Sequence, residues 1–227
     1  MVQSHSMSIR HREASRLEGF SDAVFGFALT LLVVSLETPK TVDELRALML
    51  QFVPFALTFS MVCWIWYEHN IFFRRYGLQD ALTVFINCVL LFVVLFYVYP
   101  LKFLTSTLVA TVSNQAGAPN LLDADWHLLM MLYSLGVLAT FSAFIALYWR
   151  AWGQRAQLAL TPVEETQLRY RLRSHGISVG LATVSLLMVA MLPDSQMMWA
   201  GMIYSLMGPL HAWNGFAAGK AQAALRK

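Results

Sequence analysis

Arg16-Leu-Glu-Gly-Phe20-Ser21-Asp22-Ala-Val-Phe-Gly-Phe27-Ala-Leu-Thr30-Leu31-Leu-Val-Val34 is the stretch on which the reading of this chain turns. Ala23–Leu36 is free of charge for 14 residues. As a helix at 1.5 Å per residue that is about 21 Å, short of the roughly 30 Å hydrocarbon core of a bilayer. If Ser21 or Asp22 caps the helix, the segment cannot span. If the helix begins near Arg16, it reaches spanning length and carries Ser21 and Asp22 inside it. The second reading is the more consistent one, and it requires a partner for the Asp22 carboxylate.

Composition supports a membrane setting. Of 227 residues, 58% are apolar and only 13% charged, half the charge of an ordinary soluble domain. Mean hydropathy is +0.55. These values exclude most soluble folds, and also disorder, which needs low hydrophobicity and high net charge. Further apolar stretches follow the first. The spacing predicts an all-α protein with six transmembrane helices in one domain, 1–227, at about 16–37, 46–69, 80–108, 126–149, 174–193 and 196–218. Gly201, Gly208, Pro209 and Gly215 interrupt the last. Thr161-Pro-Val-Glu-Glu reads as a helix start with proline at the first position, and Thr111–Asn120 as an exterior turn. The polar Met1–Arg12 is not followed by a cleavage site of small residues, so a removed signal peptide is not expected.

Loop charge gives the orientation. With six spans, 13 of the 16 lysines and arginines fall on one side, in the N-terminus, the loops at Arg74-Arg75 and Arg150–Arg173, and the C-terminus. Lys40, Arg46 and Lys102 fall on the other. Both termini are therefore expected in the cytoplasm. The net charge of +3 belongs to these loops and implies no nucleic-acid partner.

Three polar positions would be costly in lipid: Arg16 with Ser21-Asp22, His69 of Trp66-x-x-His69, and Asn87. A cap, an interfacial histidine and an interhelical amide are the plain structural readings. Cys63 and Cys88 read as packing residues, His127 and His211 as interfacial. No nucleophile triad, phosphate loop or metal-binding helix is present, so no enzyme, metal or cofactor is expected.

The run Arg16-x-x-x-Phe20-Ser21-Asp22 with the apolar Ala23–Val34 resembles the first helix of the transmembrane protein 175 family, the lysosomal potassium channels of animals and their bacterial relatives. Trp66-x-x-His69, Asn87 with Leu90-Leu91, and Pro100 before Phe103 also resemble that family, over roughly residues 16–105. The resemblance implies a six-helix unit whose first helix lines a pore, assembled as a homotetramer in the bacterial plasma membrane and permeated by potassium. It places Phe27, Leu31 and Val34 at the constriction, with Thr30 beside them. It implies a polar network of Arg16, Phe20, Ser21, Asp22, His69 and Asn87. Phe27 departs from the isoleucine or leucine usual at the first constriction position. The sequence holds no Thr-Val-Gly-Tyr-Gly filter. From the residues alone, the stripe through Phe27, Leu31 and Val34 reads first as a lipid face. A proton-coupled transporter using Asp22 and His69, or a membrane scaffold without transport, are the competing readings.

Overall fold

The first helix begins where its cap is, at Ser15. In the computed structural model, which describes residues 15–36, 38–112, 123–193 and 196–224, the Ser15 hydroxyl accepts the Glu18 backbone N–H at 3.2 Å. Helix α1 then runs Arg16–Val34 and passes through Ser21 and Asp22 unbroken. Its 19 residues span about 28 Å, close to the hydrocarbon thickness. Arg10, Arg12, residues 113–120 of the expected exterior turn, Arg226 and Lys227 lie outside the described residues.

The second stretch is a bent pair. Thr41 caps α2, Val42–Leu50, and α3 follows as Phe52–Tyr76, at 44° to α2. Pro54 sits in the first turn of α3, where a missing N–H costs nothing. Gly77 ends α3 at φ 58, a left-handed stop that a side chain would strain. Helix α4, Ala81–Val112, carries Pro100 within it, and α5 is Asp123–Gly153.

Helix α6, Pro162–Met191, opens on a capping box between Thr161 and Glu164 with Pro162 in its first turn. It starts twelve residues before the expected 174, so Glu164, Glu165, Arg169, Arg171 and Arg173 stand on a helix and not in a loop. The final stretch is α7, Met197–Met202, a 3-10 turn over Ile203–Leu206, and α8, Met207–Ala224. Four helices (α1, α4, α5 and α6) are long and apolar enough to cross a membrane, and the bent α2–α3 pair makes a fifth candidate.

Packing follows side-chain size. Helices α5 and α6 approach through small polar residues: the Ser134 and Ser185 hydroxyls lie 2.7 Å apart, and Ser185 Oγ donates to the Ala200 carbonyl at 2.8 Å. Where α4 meets α5, a Cβ on Gly136 would collide with the Tyr97 ring. Only glycine admits that ring, whose hydroxyl donates to the Leu132 carbonyl at 2.8 Å. The main core joins α1, α3, α4, α5 and α6 around Phe25, Phe72, Phe73, Leu90, Phe144 and Tyr148. Large apolar side chains also cover the outside, among them Phe85, Phe92, Phe96 and Trp149. Water would penalise such a surface and lipid would not.

Candidate functional site

Helix α1 has two unlike sides. Ser21, Phe25, Ala28 and Leu32 are buried, each at 2% exposure or less. On an α-helix they share an arc of about 60°. Phe27, Thr30, Leu31 and Val34 share an arc of about 100°, centred about 140° away. There Phe27 is 57% and Val34 71% exposed; Thr30 is exposed and Leu31 half-buried. Thr30 Oγ1 donates to the Gly26 carbonyl at 2.9 Å, so its hydroxyl proton is spent within the helix and its oxygen remains an acceptor.

The buried side is held by a chain of hydrogen bonds whose directions follow from one another. Ser21 Oγ donates to the Leu17 carbonyl at 2.8 Å, so toward its neighbour it can only accept. The Asn87 amide nitrogen therefore faces it, at 2.9 Å. That leaves Asn87 Oδ1, an acceptor, for His69 Nε2 at 2.8 Å. The His69 proton thus sits on Nε2, and Nδ1, buried with no hydrogen-bond partner among the described residues, carries the lone pair. The ring lies between Phe25, at 5.4 Å, and Phe73, at 4.5 Å. A neutral imidazole suits this apolar slot.

Asp22 takes a different partner. Its Oδ1 accepts the Trp66 indole N–H at 2.8 Å, and the residue is exposed on the single chain. Asp22 and His69 are therefore hydrogen-bonded to separate groups, Trp66 and Asn87. Phe20, 55% exposed, and Arg16, also exposed, stand outside this cluster. At the far end of α1, Lys102 Nζ donates to the Ser35 carbonyl at 3.1 Å and to its hydroxyl at 2.7 Å. A cation there complements the negative end of the helix dipole.

Two ionic contacts were not legible as site features. Arg171 Nη1 donates to both Glu68 oxygens at 2.6 Å, and His175 Nε2 lies 3.9 Å from Glu68 Oε2, its ring stacked on Phe144 at 5.0 Å. The signals were a carboxylate beside His69 and a helix start at Thr161 that places Arg171 on α6. At the start of α4, Arg150 bonds Asp80 at 3.2 Å. Burial alone would raise the Asp80 carboxyl, but two hydrogen bonds from Thr83 and the Arg150 charge outweigh it and hold the group below the usual carboxylate range.

These features define an all-helical membrane protein in which one helix is pinned along a single side by hydrogen bonds from its neighbours. Residues 16–97 match the family model described as the endosomal/lysosomal potassium channel TMEM175. A protein of Marivirga tractuosa named potassium channel is 41% identical over 170 residues, covering 70% of this chain and 68% of that one. A potassium channel of Streptomyces collinus is 28% identical, covering 76% of this chain and 84% of the relative. Among solved structures, a variant of the potassium channel MtTMEM175 in complex with a nanobody–MBP fusion protein superposes with a TM-score of 0.83 at 34% identity, covering 94% of this chain and 97% of that one. A lysosomal potassium-selective channel TMEM175 homologue from Chamaesiphon minutus shares the fold at a TM-score of 0.57. The chain belongs to the TMEM175 potassium channel family.

Proposed function

We propose that this chain is a potassium-permeable channel subunit in a bacterial plasma membrane, with six spans, both termini cytoplasmic, and four copies around a pore lined by α1. The final helical run, α7 to α8, is the sixth span, its 3-10 turn Ile203–Leu206 lying between Gly201 of α7 and the Gly208-Pro209 pair of α8. Phe27, Leu31 and Val34 form an apolar constriction, and the Thr30 oxygen offers an acceptor to a passing cation. Ser21, Asn87, His69 and Asp22 position the helix and do not touch the ion. The observation that carries this reading is the contrast across α1. A helix whose one side is buried in the core and tied through Ser21 to Asn87 has an opposite side that pairs apolar bulk with one hydroxyl oxygen, and among the described residues Phe27, Thr30 and Val34 on it stay exposed.

An apolar ring obstructs ions by excluding the water they would carry. Conduction then requires partial dehydration, and phenyl faces return part of the lost solvation through their negative quadrupole. The test is flux from liposomes loaded with potassium or sodium and containing the purified full chain. Potassium efflux well above sodium efflux supports the assignment. Slow flux that needs a proton gradient would support a carrier, and no flux a scaffold.

A further inference from the structure

The run Arg169-Tyr-Arg171-Leu-Arg173 has its basic residues on different sides of α6. Arg171 points inward and is spent on Glu68. Arg169 and Arg173, one turn apart, point instead into a cleft of about 150 Å³ between α6 and α8. On the α8 side the cleft is walled by Ala217, Ala218 and Ala221, whose small side chains leave the space open. Asn214 closes its base, its amide donating to the Tyr170 carbonyl at 3.2 Å and to Ser174 Oγ at 2.9 Å.

The two guanidinium groups are available. Arg173 is exposed and makes no hydrogen bond or ion pair within the described residues. Arg169 has one opposing carboxylate, Glu165, at 3.8 Å, and its side chain stays 60% exposed. Its guanidinium lies 5.1 Å over the Trp152 ring, which limits its freedom. Planar guanidinium forks match the oxygens of a phosphate group. The volume suits one tetrahedral anion and falls below the roughly 300–1,000 Å³ of pockets for larger organic ligands.

We propose that this cleft binds the phosphodiester headgroup of an anionic phospholipid. The lipid source follows from the surroundings. The cleft lies at the basic end of the helices, and α8 beside it exposes Trp213 at 70% and Phe216 at 74%, aromatic side chains of the kind that settle at headgroup level. Basic clefts between spanning helices at that level are suited to acidic headgroups. The inference rests on the membrane character of the chain and not on which residues line the pore.

The test is native mass spectrometry of the purified full chain titrated with phosphatidylglycerol, with phosphatidylcholine of the same acyl chains, and with inorganic phosphate. Phosphatidylglycerol should be retained in preference to phosphatidylcholine. The Arg169→Ala/Arg173→Ala variant should bind it on the order of fivefold more weakly per arginine, about twenty-five-fold for the pair. Arg74→Ala, which removes an exposed charge in the last turn of α3 and outside the cleft, should leave binding unchanged. Should the double variant not fold, Ala221→Leu, which fills the cleft and keeps both arginines, must show the same loss. Equal retention of the two lipids, or equal retention by wild type and variants, would overturn the proposal. Displacement of lipid by submillimolar inorganic phosphate would also overturn it, making the cleft a free-anion site.

Discussion

The two sides of α1 differ in what completes them. On one side the chain provides everything: Phe25, Ala28 and Leu32 sit in the core, and Ser21 is bonded through Asn87 to His69. On the other, Phe20, Phe27 and Val34 are more than half exposed. A substitution on the first side therefore acts on the fold of a single chain. A substitution on the second acts on whatever that side meets, which we take to be ions, water and three further copies.

The contrast is tested first where the fold should fail most. Glu68→Ala leaves the Arg171 guanidinium without its carboxylate, and breaking a buried pair on one side costs about 3–5 kcal/mol. Arg171 keeps 21% exposure, so the lower end applies. Thermal unfolding in detergent should show the loss, and an unchanged melting temperature would mean the pair does not hold α3 to α6. Gly136→Ala should cost about 1–3 kcal/mol through overpacking, because the new methyl meets the Tyr97 ring. Adding Tyr97→Leu should restore part of that loss, a coupling that a double-mutant cycle reads directly. Asn87→Leu should cost about 1–2 kcal/mol, the worth of interhelical hydrogen bonds in lipid. Combined with His69→Leu it should cost less than the two changes separately, since both break one bond.

These cases show what the sequence could and could not reveal. The start of α6 was legible, because Thr161-Pro162 is a local signal. Its length was not: charges on 164–173 look like a loop until one sees that Arg171 has a carboxylate to reach, on a residue 103 positions away. Likewise the length argument carried α1 through Asp22, and Trp66 was singled out by its spacing to His69. That Trp66 itself bonds Asp22 depends on how two helices rotate against each other, which local pattern does not encode. Lys102 stood out only as a charge on the exterior side, although it closes the end of α1.

The smallest expected effect lies at the start of α4. The Asp80 carboxyl is depressed in the folded chain, so its contribution to stability is complete above the ordinary carboxylate value of about 3.9. It is lost as pH falls through the depressed folded value. Asp80→Asn should therefore lower the melting temperature slightly at neutral pH and flatten the acid limb below about pH 4, where variant and wild type converge. An unchanged acid limb would mean that the Arg150 contact does not persist in solution.

The central claim, that the open side of α1 lines the ion path, is tested most directly by paired flux measurements on Phe27→Ala and Val33→Ala in liposomes. Both side chains are exposed, at 57% and 54%, and Val33 lies about 110° from the centre of the proposed pore face. Neither change should disturb the fold. Phe27→Ala should raise flux and reduce the preference for potassium over sodium, because removing four rings admits hydrated ions, while Val33→Ala should match wild type. Increased flux from Val33→Ala with none from Phe27→Ala would contradict the account and rotate the pore onto another face of the helix.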